Sequence, residues 1–142
     1  MFGTYQHSNL RIEVKASADE IGRSLTDPSR IGKWLRPQEI RYLPPGAAPS
    51  DTSFPGSTLQ EGQMFESTVG AYKLGLLKVT HQVEMMTDDG IRLLLSGSID
   101  GFHEWQWGDG WVQSRLEGVS LLPLSLGQTA SLVRLRFYLQ QQ

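Results

Sequence analysis

Cysteine is missing from the 142 residues. Its absence excludes a disulfide framework, a thiol nucleophile and cysteine-type zinc sites, and it is compatible with either redox compartment. Long apolar runs are missing too. The longest aliphatic run is Leu93-Leu94-Leu95, so no segment reads as a membrane span. Neither sign of charge is in excess: 13 Lys+Arg against 15 Asp+Glu leave −2, with no basic run. Nucleic-acid binding is built from Lys and Arg neutralising phosphates, so no nucleic-acid partner is expected. The start, Met1 to His7, lacks the charged-then-apolar build of a signal peptide, which leaves a cytoplasmic protein as the expectation. What is present is a globular composition, 39% hydrophobic and 20% charged, at a length that suits one domain spanning 1–142 and one real core.

Periodicity divides the chain. Leu10 to Lys15 alternates apolar and charged residues, the pattern of a half-buried strand. Ser17-Ala18-Asp19-Glu20 reads as a capping box, in which hydroxyl and carboxylate satisfy orphan amides at a helix start. Ile21 and Leu25 follow on one face. Asp27-Pro28 starts a second helix, with Ile31, Trp34 and Leu35 as its apolar face, and Arg36-Pro37 ends it. Glu39 to Leu43 forms a second strand. Pro44 to Gln60 carries four of the seven prolines and no periodicity, so it reads as an irregular surface loop, either a lid or a tolerated insertion.

From Gly62 the chain reads as a meander. Gln63 to Val69 is one strand. On the next, Leu77, Val79, His81, Val83 and Met85 share a face. Asp88-Asp89-Gly90 is a tight turn into Ile91, Leu93 and Leu95. Strands near Phe102–Trp107 and Trp111–Val119 flank the turn Gly108-Asp109-Gly110, and Pro123 closes the sheet. The period then changes to that of a helix over Ser125–Gln141. Leu126, Ala130, Val133 and Phe137, with Leu132, Leu135 and Leu139 beside them, suggest one wide apolar arc, with Phe137 buried on it. The order of elements predicts an α+β fold in which an antiparallel sheet buries its apolar face on that helix.

This order resembles the START/Bet v 1-like (SRPBCC) superfamily, in particular its bacterial polyketide cyclase/dehydrase-like branch. The residues that carry the resemblance are Ile12 to Ile21, Leu25 with Asp27, Trp34, the glycine before Phe65, Arg115-Leu116-Glu117-Gly118 and Leu121-Leu122-Pro123. They set fold pattern and include no catalytic motif. The resemblance covers about Leu10 to Leu139. It implies a helix-grip fold: a curved antiparallel sheet of about six to seven strands around a long C-terminal helix, with two short helices after the first strand. It also implies a cavity between sheet and helix for a small hydrophobic molecule such as a lipid, polyketide or pigment-like compound. A monomer or weak homodimer is expected.

Several residues face that cavity by register. His81 reads either as a pocket imidazole that binds a polar group or acts as a base, or as a core histidine satisfied by one hydrogen bond. His103, Trp105 and Trp107 share one strand face, where the tryptophans form a flat pocket wall or fill volume under the last helix. The expected ligand-binding set is Trp34, Phe65, Val79, His81, Leu93, His103, Trp105, Trp107, Val133 and Phe137, and His81 and His103 are the candidate catalytic groups. His7 reads as lying in a frayed terminus. Arg92, Arg115 and Glu117 read either as a ligand's acid-binding group or as solvated outer charges. Spacing assembles no Ser-His-Asp set, no glycine-rich phosphate loop and no paired metal ligands, so neither metal nor cofactor is expected. Three functions stay open: a non-catalytic carrier, a cyclase or dehydratase using a pocket histidine, and a protein-interaction module with a filled cavity.

Overall fold

Alternating side chains build seven strands: β1 (Thr4–Glu13), β2 (Glu39–Leu43), β3 (Met64–Ala71), β4 (Gly75–Thr87), β5 (Gly90–Gly97), β6 (Ile99–Gly108) and β7 (Trp111–Ser120). The computed structural model describes residues 3–45, 53–71 and 75–141. The strands form one curved antiparallel sheet in the order β1-β7-β6-β5-β4-β3-β2. From β2 to β7 each strand pairs with its neighbour in sequence, while β1 crosses to β7, with Thr4 opposite Ser120 and Glu13 opposite Trp111. His7 is therefore no frayed residue. It sits in β1 opposite Glu117, because the strand starts six residues before the strict alternation at Leu10.

Two short helices, α1 (Ala18–Thr26) and α2 (Pro28–Trp34), follow β1. The Ser17 hydroxyl accepts the Glu20 N–H at 3.2 Å, which is half of the expected capping box. The other half is not made. The Glu20 carboxylate turns instead to Arg23 and to Arg30, each at 2.9 Å, and so ties α1 to α2. The Ala18 N–H goes to Asp109 Oδ1 in the β6–β7 turn, at 2.7 Å. Asp27 caps α2 by accepting the Ser29 N–H, and Trp34 Nε1 donates to the Ser24 carbonyl at 2.7 Å. Gly22 of α1 lies against the Trp107 indole: a Cβ there would sit 2.9 Å from its Nε1.

The long helix α3 (Leu124–Gln140) starts after Pro123, which offers no capping side chain; Gln6 Oε1 of β1 accepts the Leu124 N–H instead, at 2.9 Å. The helix packs on β1 and β7 and touches α1 and α2. Its buried residues are Leu124, Gln128, Leu132, Leu135 and Leu139. The expected arc is corrected here. At about 100° per residue, Leu126, Ala130, Val133 and Phe137 form a second stripe about 180° from the buried one. Leu126, Val133 and Phe137 are 68%, 58% and 66% exposed. The helix is apolar on two opposite sides, and only one faces the sheet. No described helix is long and apolar enough to cross a membrane.

A second correction falls in β4. Val83 is buried as expected, but the register against β5 shifts between Val83 and Met85. One extra residue there reverses the side-chain sequence, so Met85 is 46% exposed and Met86 packs on the core instead. Of the irregular segment 44–60, residues 46–52 lie outside the described residues. The described end of that segment is tethered. The Leu59 N–H donates to the Thr26 carbonyl at 2.8 Å with its side chain buried, and Phe54 packs between Tyr42 and Phe65.

Candidate functional site

Because α3 lies over β1 and β7, and α1 over the Trp107 end of β6, the inner faces of β3 to β5 and the His103 end of β6 are left without a helix packed closely on them. A cavity of about 480 Å³ fills this space, between the sheet, α2 and the first half of α3. Trp34 and Leu35 close one side, and Leu59 from the irregular segment adds to the wall. Trp34 meets Trp105 edge to face, with ring centroids 6.2 Å apart. Leu121, Leu122 and Leu126 line the cavity and are also exposed, so the space reaches the surface where β7 turns into α3.

Two histidines form its polar floor. On β4, His81 stacks flat on Phe65 of β3, with centroids 4.6 Å apart and planes 4° from parallel. Its Nε2 lies 2.8 Å from the Ser67 hydroxyl. On β6, His103 lies 4.5 Å from the Trp105 ring, and its Nε2 is 2.6 Å from the Ser114 hydroxyl. Gln128 of α3 anchors the same hydroxyl. Its Nε2 donates to the Ser114 hydroxyl oxygen at 3.0 Å, to the Ser114 carbonyl at 2.8 Å and to the Ser8 carbonyl at 3.2 Å. The Ser114 oxygen accepts from Gln128 and shares a hydrogen bond with His103 Nε2, which leaves His103 Nδ1 as the ring nitrogen outside this network. His81 Nδ1 and Gln128 Oε1 are buried without a hydrogen-bond partner among the described residues.

Burial pushes His81 down to about 4 and His103 to about 3, the latter helped by the nearby charge of His81 when it is protonated. Both rings are neutral at neutral pH. No Lys, Arg, Asp or Glu lines the cavity among the described residues. Those charges lie elsewhere. Arg92 pairs with Glu84 and Glu104, Arg115 pairs with Glu117, and both guanidinium groups lie over the Phe102 ring on the opposite face of the sheet. The described residues bring together no group of three His, Asp or Glu side chains that could hold a metal.

Of the expected set, Trp34, Phe65, Val79, His81, Leu93, His103 and Trp105 line the cavity. Trp107, Val133 and Phe137 do not. Trp107 is buried under α1 against Gly22, and Val133 and Phe137 point to solvent from the outer stripe of α3. Ser67, Ser114, Gln128 and Leu59 were not in that set. The signal for Gln128 is its place: a lone polar residue centred in an otherwise leucine-lined helix stripe.

No family model and no curated protein matches the chain. Its fold does have solved counterparts. The chain is similar to a protein of Chromobacterium violaceum, with a TM-score of 0.69 and 16% identity, over 94% of this chain and 96% of that one. It is similar to major latex-like protein 151 of Panax ginseng, with a TM-score of 0.68 and 7% identity, over 98% and 97%. DynU16, a protein of the dynemicin biosynthetic locus, matches with a TM-score of 0.64 and 16% identity, over 94% of this chain and 47% of its own length. Identities this low establish the fold, which is the helix-grip fold that the resemblance implied.

Proposed function

We propose that the protein binds a small hydrophobic molecule of lipid, polyketide or pigment-like kind in the cavity between sheet and α3, as a carrier. The observation that supports this most is an unfilled space of about 480 Å³ walled by aromatic and aliphatic side chains, within the roughly 300–1,000 Å³ of ligand sites. A packed interior would hold few voids larger than a water molecule. The solved counterpart from a biosynthetic locus supports a small-molecule setting. A cyclase or dehydratase reading asks one of the histidines to move protons near working pH, and efficient acid–base groups have pKa values close to that pH. Values of about 4 and about 3 favour binding over chemistry.

The test is a titration with the neutral fluorophore N-phenyl-1-naphthylamine, coupled to native mass spectrometry of protein purified from its own host. Saturable binding of one fluorophore per chain is expected, with Val79→Trp, which places an indole inside the cavity, weakening it at least tenfold without lowering the melting temperature. Binding that Val79→Trp leaves unchanged would put the fluorophore elsewhere and overturn the reading. A retained small molecule released on denaturation would name the natural ligand.

A further inference from the structure

We infer that this cavity selects uncharged apolar molecules bearing a carbonyl, hydroxyl or phenol oxygen, and turns away carboxylates. The inference rests on the binding function proposed above and narrows it to a ligand class. Three observations carry it. The first is electrostatic. A carboxylate that enters loses its hydration, and among the described residues no cationic side chain lines the cavity to replace it. Of the arginines flanking the α2 wall, Arg30 is already held by Glu20 and Asp27, Arg36 lies in a separate surface hollow with Asp27 and Lys33, and those on β5 and β7 are paired on the other face of the sheet.

The second observation is the state of the imidazoles. A charged histidine could have served as the missing cation, but burial keeps both neutral at pH 7.5. The third is one hydrogen-bond chain, in which Gln128 donates to the Ser114 hydroxyl and that hydroxyl is bonded to His103 Nε2. His103 Nδ1 is not used by this chain, and a neutral imidazole nitrogen pairs with a hydroxyl or phenol in either tautomer, and with a carbonyl when it carries the ring proton. Trp105 and Phe65 supply flat surfaces beside the two rings, which suits a planar ligand.

Equilibrium dialysis at pH 7.5 with three molecules of one shape tests this. Naphthalene offers no polar atom, 2-naphthol adds a neutral oxygen, and 2-naphthoate adds a charge. The wild-type chain should hold 2-naphthol at least tenfold more tightly than 2-naphthoate, and more tightly than naphthalene. His103→Phe should remove the advantage of 2-naphthol over naphthalene. Ser131→Lys, which adds an ammonium to the α3 side of the lining, should strengthen 2-naphthoate at least tenfold and leave 2-naphthol within threefold. If 2-naphthoate binds the wild-type chain as tightly as 2-naphthol, the selection is wrong while the binding function stands. If none of the three is retained, the binding function itself fails and the selection with it. Should Ser131→Lys not fold, the wild-type comparison alone decides.

Discussion

Each cavity imidazole takes up a proton near 6.5 when the chain is unfolded, but resists protonation down to about 4 for His81 and about 3 for His103 when folded. Between those limits the unfolded chain binds more protons. The stability these rings preserve is therefore full above about pH 6.5 and is lost as pH falls through that window. Urea midpoints measured from about pH 7.5 down to pH 5 should fall, and His103→Gln should flatten the decline; identical slopes in the two proteins would contradict it. The packing of α3 yields a second contrast between residues. Leu135 is fully buried, so Leu135→Ala should cost about 2–5 kcal/mol. Phe137 is 66% exposed, so Phe137→Ala should change stability by no more than about 0.5 kcal/mol. Denaturant unfolding of both variants checks the assignment, and a large loss at Phe137 would mean that its stripe is covered. Sequence alone favours the wrong residue here for a physical reason. Leu126, Val133 and Phe137 make a purely apolar stripe, whereas the buried one has Gln128 at its centre, and only the partners Ser114 and Ser8 show why an amide belongs there.

Strands and helices are legible from periodicity to the extent that their pattern is local. β2 and the turn at Asp88-Asp89 lie where alternation and turn chemistry place them, and the Asp27-Pro28 start of α2 is made as read. Three features depend on distant partners, and periodicity could not show them. The six residues that lengthen β1 are ordered by β7, the bulge that turns Met85 outward is a property of the β4–β5 pair, and the second carboxylate bond of the capping box was lost to Arg30 on another helix. The cavity belongs to this class as well, since Trp105 and Trp107 alternate identically on β6 and differ only in what lies above them. One element-level prediction concerns the β6–β7 pair. Gly101 lies opposite Gly118, and a Cβ on Gly101 would fall against the Glu117 carbonyl oxygen, on backbone that cannot step aside. Gly101→Ala should destabilise the protein by about 1–3 kcal/mol or more through strain in the strand pair, read from its denaturant midpoint. The mirror substitution Gly118→Ala should act alike, because its Cβ would meet the Asp100 carbonyl. A neutral result at either position would mean that these strands lie further apart.

At the scale of the whole molecule, an unfilled cavity leaves stability open to adjustment by its occupant. A molecule that binds only the folded chain raises stability by RT ln(1 + [L]/Kd), about 2.7 kcal/mol at a hundredfold excess over Kd. Saturating 2-naphthol should therefore raise the melting temperature by several degrees, and the rise should vanish in Val79→Trp; an equal rise in that variant would indicate binding outside the cavity. The sheet order has a consequence of another kind, in time. β2 to β7 form a run of neighbouring hairpins whose partners emerge from synthesis one after the other, whereas every rung between β1 and β7 joins residues about a hundred positions apart. At roughly 5–20 residues per second, β1 waits about 5–20 s after leaving the ribosome before its partner strand exists. In that interval Leu10, Ile12 and Val14 have no sheet to pack on, and the Leu124 amide of α3 has yet to meet Gln6. The first strand to be made is thus the last to be paired, and α3 gains its cap and its main packing surface only when that strand docks.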